Sequence, residues 1–350
     1  MSRLYFILCL FGLVCVACQP KSTSSVTDDT AGFTIDIQDD TTHITIYSPW
    51  QKAEVMQKLA IGNGLLAERV VCTSATHMGF ISELGMMDKV VGVCRPNRVY
   101  NLSKEDRERI TDIGDDMQPS MEKILLLNPD LVILYTYAQG DPIPAQVEAL
   151  GIPILYCNEW TETTPLARAE WIRFFGMLFG CEAKADSIFA DVEKNYNELK
   201  QLATQQAKKP KLMCEWKSGS AWYVPGGRST TGKLYADAGA DYAFAHYPNS
   251  GAVPLSFETV FDKAQDADIW LMKYNQANDR TMTSMREDYA PYAQFKAYKQ
   301  KQVYGCNTAY KRYYEDFPFH PDRVLKDLIK IFHPSLLPEY ELKYFDKLVE

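Results

Sequence analysis

Ser120-Met121-Glu122-Lys123-Ile124-Leu125-Leu126-Leu127-Asn128-Pro129-Asp130-Leu131-Val132-Ile133-Leu134 is the stretch that decides how this chain folds. Ser120 is a helix-capping residue and Glu122 falls in the first turn, where the helix dipole favours an acid, so 120–127 reads as a short helix. Asn128-Pro129-Asp130 stops it, because proline disfavours helical backbone in the residue before it. Leu131-Val132-Ile133-Leu134 then reads as a strand apolar on both faces, which marks a sheet covered by helices on each side.

The same alternation extends outward in both directions. Upstream come a buried strand at 69–72, a polar turn at 73–77 that can cap a helix, a helix at 78–84 ending at Gly85, and a strand at 89–93. Downstream come a helix at 144–150 and a strand at 152–156. The rhythm then stops. Residues 165–207 carry almost no turn signal beyond Gly176 and Gly180, and Ile188, Phe189, Val192, Tyr196, Leu199 and Leu202 recur at helical spacing over 185–206. One long helix here predicts a rigid strut between two lobes. Strands at 211–216, 221–224, 268–272 and 302–306 and helices at 229–238, 256–264, 289–298 and 321–332 resume the pattern. Ahead of it all, 33–37 and 43–47 alternate around Asp39-Asp40-Thr41 and predict a hairpin. The expected fold class is α/β, with two mostly parallel-sheet lobes joined by one long rigid helix and a ligand cleft between them. The expected divisions are a leader at 1–17, a tether at 18–31, an N-terminal lobe with its hairpin at 32–164, linking helices at 165–209 and a C-terminal lobe at 210–350.

The chain starts with one basic residue, Arg3, an apolar run at 4–14, and Cys15-Val16-Ala17-Cys18. This predicts an export leader cut after a small residue. The cysteine that follows the cut resembles a bacterial lipoprotein signal, which implies that Cys18 is lipidated and holds the protein on a membrane, facing the periplasm or the cell exterior. The polar, Ser/Thr-rich segment that follows reads as a flexible tether. No apolar run is long enough to span a bilayer. The formal net charge of −8, without a basic block, argues against a nucleic-acid partner. Cys72, Cys94, Cys157, Cys181, Cys214 and Cys306 lie far apart with no Cys-x-x-Cys or Cys/His cluster, so they predict buried free thiols rather than a zinc site. There is no Gly-x-Ser-x-Gly elbow, His-Glu-x-x-His or glycine-rich phosphate loop, and no enzyme is expected.

Several segments, taken in order, resemble a known family. Arg69-Val-Val-Cys-Thr-Ser-Ala-Thr76 is similar to its opening strand and loop. Glu83-Leu-Gly-Met-Met-Asp-Lys-Val-Val-Gly-Val93 resembles its "ALG…D-x-VVGV" segment. Asp112-Ile-Gly114, Ser120-Met-Glu-Lys-Ile124 and Asn128-Pro-Asp-Leu-Val132 are similar to its "IG…xxEKI…xPDLV" signature, and Leu150-Gly-Ile-Pro-Ile154 fits the strand that follows. The family is that of periplasmic binding proteins of the rigid-helix-linked class, which deliver iron–siderophore complexes, haem or cobalamin to ABC importers. The resemblance spans about 67–333 and leaves 19–66 outside. It implies two lobes with the ligand between them, modest closure, and no intrinsic cofactor beyond the cargo. It also implies transmembrane importer subunits as partners, met by one exposed glutamate per lobe: Glu122, and Glu258 in Leu255-Ser-Phe-Glu-Thr-Val260. Taken one at a time, these acids also fit an ordinary helix start.

In open α/β sheets ligands sit beyond the carboxyl ends of the strands. The loops at those ends carry Thr76, His77, Tyr135, Tyr137 and Trp160 in the first half, and Trp216, Trp222, Tyr223, Arg228, Tyr274, Arg312 and Tyr313 in the second. Flat rings suit a macrocycle or catecholates, and arginine suits carboxylates. Trp222 and Tyr223 alternate on a strand, so one of them belongs to the core. His77 is weighed as an axial ligand to a cargo metal against a capping or surface role, with no direct metal site otherwise expected. His320 and His333 beside prolines read as structural. An iron complex, a ferric siderophore or haem, is the first expectation and cobalamin the second. A free metal-ion binder, an exported enzyme and a capture lipoprotein without an importer remain competing readings.

Overall fold

The computed structural model describes residues 32–38, 41–51, 54–61, 67–100 and 102–350. The expected leader, Cys18 and the tether lie outside the described residues.

The quoted stretch folds as read. Ser120 accepts a hydrogen bond from Lys123 N and caps helix Met121–Leu127. Asn128 ends it in the left-handed region, and strand Leu131–Leu134 follows. That strand lies inside a five-stranded sheet in the order Ile154–Tyr156, Leu131–Leu134, Val70–Cys72, Val90–Val93, Thr111–Asp112, parallel throughout. The second half builds its counterpart: Asp241–Tyr242, Lys211–Cys214, Ile269–Tyr274, Val303–Asn307 and Asp346–Lys347. The first four strands are parallel and the last is antiparallel. The molecule is therefore two α/β lobes with a linker between them.

The linker differs in detail from a single rod. Helices Pro165–Leu178 and Glu182–Thr204 run as a hairpin turned at Gly180, whose φ of +66° suits glycine. A Cβ on Gly176 would stand 2.4 Å from that of Ala185, so the two helices cross where only glycine fits. Helix Glu182–Thr204 spans both halves. Ala185, Phe189 and Val192 belong to the N-terminal core, and Tyr196 and Ala203 to the C-terminal one.

Several elements were not legible in the sequence, among them helix Lys104–Arg109, the strands Asp241–Tyr242 and Ala252–Leu255, and three more. Strand Val55–Ile61 extends the expected hairpin (Phe33–Gln38, Thr41–Tyr47) into a three-stranded antiparallel sheet. Helix Met282–Asp288 is closed by a reciprocal cap between Thr281 and Ser284. Strand Asp346–Lys347 is held in place by buried Asp327, whose carboxylate accepts the backbone N–H groups of Lys343, Tyr344 and Phe345. The helix expected at 289–298 is broken at Phe295, whose backbone is extended, into a 3-10 turn, Ala290–Gln294, and one helical turn, Lys296–Lys299. Strand Ala221–Pro225 pairs antiparallel with Ala252–Leu255 outside the main sheet.

The lobes also touch directly. Helix Ala75–Leu84 packs on 313–320 through Gly79, where a Cβ would come within 2.7 Å of Glu315 O. Phe80 packs on Phe319 at 5.5 Å. Nearby, His320 Nε2 lies 3.0 Å from Glu83 Oε1, and Asp322 Oδ1 stands 3.5 Å from the other ring nitrogen. Burial disfavours the imidazolium, but the Asp322 and Glu83 carboxylates together outweigh it and raise the His320 pKa. The hydrogen bond to His320 lowers that of Glu83 despite partial burial. The stabilisation carried by His320 is thus complete below the unfolded histidine value of about 6.5 and is lost as pH rises through the raised folded value. Glu83 loses its own share only in acid. His320→Gln is expected to destabilise most near pH 5–6, with the gap to the unaltered protein closing in alkali. Urea unfolding across pH checks this, and a pH-independent gap would refute it.

Candidate functional site

The C-terminal ends of both sheets open onto a cleft between the lobes. It holds two adjoining cavities of about 740 and 520 Å³ that share Lys273 and Tyr314. Trp50, Trp160 and Thr161 wall the larger from the N-terminal side, Arg168 reaches it from the first linking helix, and Tyr223, Thr230, Tyr313 and Phe317 close it from the C-terminal side. The smaller is walled by Thr76, Arg98 and Tyr100 against Tyr274, Asn275, Thr308 and Glu315. Both volumes suit an organic guest of moderate size.

The charges on its floor are paired. Lys273, at the end of strand Ile269–Tyr274, meets Glu215, at the end of Lys211–Cys214, in a nearly buried ion pair. Burial opposes the ammonium, but Glu215 and the phenols of Tyr235, Tyr313 and Tyr314 keep it protonated well above the ordinary lysine value. Glu215 has φ +61°, a costly backbone for a non-glycine residue. Arg168 binds the buried Glu159 at 3.1 Å, and Thr76 donates to the same oxygen at 3.0 Å. Arg98 is exposed and forms no ion pair with any described residue, which leaves one uncompensated cation at the mouth of the smaller cavity. Tyr100 crosses the gap, its hydroxyl donating to Thr308 O at 2.5 Å and its backbone N–H to Glu315. Burial, first of all, raises the Glu315 carboxyl.

Of the residues expected at the cleft, Trp160, Tyr223 and Tyr313 line the larger cavity, and Thr76 and Tyr274 the smaller. The rest line neither. Trp222 is a correction: it is wholly buried, stacked on Trp270 at 5.6 Å, so its strand turns Tyr223 to the cleft and Trp222 to the core. His77 is another. It is wholly buried, with Nε2 3.2 Å from Cys157 O, and burial, first of all, lowers its pKa. It cannot ligate a guest from there. Tyr135 donates to Asp116 at 3.1 Å, and Tyr137 is exposed away from both cavities. Trp216 lies under the Arg280 guanidinium at 4.1 Å. Arg312 pairs with Glu315 and Asp316, and Arg228 is exposed outside both cavities. Glu122 and Glu258 are both exposed, each the second residue of a helix capped by serine, one per lobe. The six cysteines are free.

Sequence reasoning missed Trp50, Arg168, Glu215 and Lys273. Strand-end position marks Glu215 and Lys273, yet a charged residue there is not distinguishable from a solvated one without its partner. Trp50 lies outside the repeating βα pattern altogether.

Residues 70–310 match the family model described as "Periplasmic binding protein". An uncharacterized lipoprotein of Methanocaldococcus jannaschii is 27% identical over 310 residues, covering 85% of this chain and 72% of its own length. An uncharacterized ABC transporter substrate-binding lipoprotein of Bacillus subtilis is 25% identical over 138 residues, 39% of this chain and 42% of its own. Among solved structures, a periplasmic haem-binding protein of Pseudomonas aeruginosa superposes with a TM-score of 0.65 at 17% identity, covering 81% of this chain and 99% of its own. That likeness establishes the fold.

Lys273→Met would leave the Glu215 carboxylate without its partner on the cleft floor. It is expected to cost about 3 kcal/mol in urea unfolding, and adding Glu215→Gln should restore a good part. Equal loss in the single and double variants would contradict this pairing.

Proposed function

The chain belongs to the periplasmic binding protein family, and from that premise we propose that it captures an iron complex, a ferric siderophore or haem, in the interlobe cleft and delivers it to an importer. Members of the family are solute-binding proteins rather than enzymes, and this one is an ABC-transporter substrate-binding protein. The observation that carries the cargo reading is the lining of the cleft. Indole and phenol rings face each other across a space far larger than an ion, and no group of three or more metal-binding side chains occurs among the described residues. Such walls suit the organic frame of a chelate. Arg98, with Arg168 and Lys273 deeper in, suits its carboxylates or anionic oxygens. The haem-binding function of the Pseudomonas aeruginosa structure agrees with this reading. Cobalamin is the second reading, and the two adjoining cavities, which share Lys273 and Tyr314, are the space it would take.

Specificity then comes from fit and charge, with no chemistry on the cargo. Release follows when the transmembrane subunits draw the lobes apart, and Glu122 and Glu258 are the residues that dock on those subunits. Two well-separated carboxylates orient the protein on a partner with two-fold symmetry. Cys18 serves as the lipid anchor on the exported side of the membrane.

Native mass spectrometry and absorbance after mixing with haem, cobalamin and a panel of ferric siderophores test the cargo. One retained iron complex per chain is expected, and no binding by any of them overturns the reading. For docking, Glu122→Arg with Glu258→Arg should leave cargo affinity intact and abolish uptake through the reconstituted importer. Undiminished uptake would remove the assignment.

A further inference from the structure

We propose that the N-terminal three-stranded sheet is a wall of the cargo cleft, and that Trp50 on its second turn selects for guests with a flat conjugated ring. This rests on the cleft being the cargo site. The sheet, Phe33–Gln38, Thr41–Tyr47 and Val55–Ile61, lies ahead of the segment that matches the family model.

The sheet is fixed to the N-terminal lobe at several points. Ile44 and Ile46 are buried in the N-terminal core. Phe33 packs edge-on to Trp171 of the first linking helix at 4.8 Å. Gly32 N and Trp171 Nε1 both donate to Glu162 Oε1 at 2.6 Å. The Gln57 side chain completes the free edge of strand Ile154–Tyr156: its Nε2 donates to Ile154 O at 2.8 Å and its Oε1 accepts from Tyr156 N at 3.1 Å. The sheet therefore does not need Trp50 to stay in place.

The described residues of the turn are also held by hydrogen bonds. Ser48 N donates to Glu54 O at 2.8 Å, and the Ser48 hydroxyl accepts from Trp50 N and Gln51 N at 3.3 Å. This turn carries the indole to the cleft mouth, where it meets Trp160 edge-to-face at 6.3 Å. Both rings stay about 40% exposed (39% and 41%), and both line the larger cavity opposite Tyr223 and Tyr314. Two large rings left open to solvent gain little for folding. They gain contact area when a flat guest slides between the lobes, indoles on one side and phenols on the other. A guest without rings gains no such stacking. Trp50 thus strengthens, from a sheet outside the family-matched segment, the preference for rings that Trp160 and the phenols begin.

The test is a titration with hemin and with a ring-free ferric trihydroxamate, following absorbance and tryptophan emission. Trp50→Ala is expected to bind hemin about fivefold or more weakly, in line with the worth of an aromatic contact, with trihydroxamate binding unchanged. Trp50→Phe should keep hemin affinity within about twofold while hemin quenches less of the tryptophan emission. Equal hemin affinity in Trp50→Ala and the unaltered protein overturns the inference and leaves the cargo reading standing. Failure of the unaltered protein to bind hemin at all removes the ring-cargo reading and this inference with it. Should Trp50→Ala unfold, the Trp50→Phe quenching decides, and quenching equal to that of the unaltered protein overturns the proposal.

Discussion

Helix Glu182–Thr204 buries Phe189 and Val192 in the core of one lobe and Tyr196 in the core of the other, and the relation between the lobes follows from that shared burial. A large apolar side chain is worth about 1.5–3 kcal/mol when taken fully out of water. Swinging one lobe far about this helix would expose several such groups at once. The Tyr196 hydroxyl adds a hydrogen bond to Asp237 at 2.8 Å. Direct contact between the lobes at Gly79, Phe80 and Phe319 restricts motion further. The cleft is thus largely formed before a guest arrives, and binding costs little rearrangement.

That preformed cleft neutralises most of its own charge. Glu215–Lys273 and Arg168–Glu159 are each paired across short distances. An ion pair of this kind is expensive to desolvate and adds little net stability, but removing one partner strands the other charge. What the cleft leaves open is chiefly its rings, with Arg98 at the mouth of the smaller cavity. The strained backbone of Glu215 fits this picture, because strain persists where surrounding structure holds a group for a purpose other than stability.

Much of the architecture was readable because it is local. Ser120 and Ser256 cap equivalent helices, each followed two residues later by an exposed acid, and that pattern is visible as letters. Apolar runs such as Leu131–Leu134 leave no face for water, so a covered parallel strand follows. The cleft was only half readable. Trp160 and Tyr313 follow strand ends and lie where that position implies, whereas Tyr223 reaches the cleft from the middle of strand Ala221–Pro225. His77 stood at an equally suggestive place, yet it turns inward to Cys157, because a one-step change of direction on a helix start exchanges pocket for core. Trp222 and Tyr223 show the same limit on a strand: alternation says that one is buried but not which.

By itself the sequence determined the main alternation of strands and helices and the two-lobe plan, because capping, periodicity and turn chemistry act over a few residues. The tertiary structure decided which side chains line the cleft. Lys273 finds Glu215, Arg168 finds Glu159, and Trp50 reaches Trp160 from a sheet outside the repeating pattern. Those meetings join residues about 10 to more than 100 positions apart: adjacent strands of one sheet bring Glu215 to Lys273, the start of the first linking helix returns Arg168 to Glu159, and the N-terminal sheet carries Trp50 to Trp160.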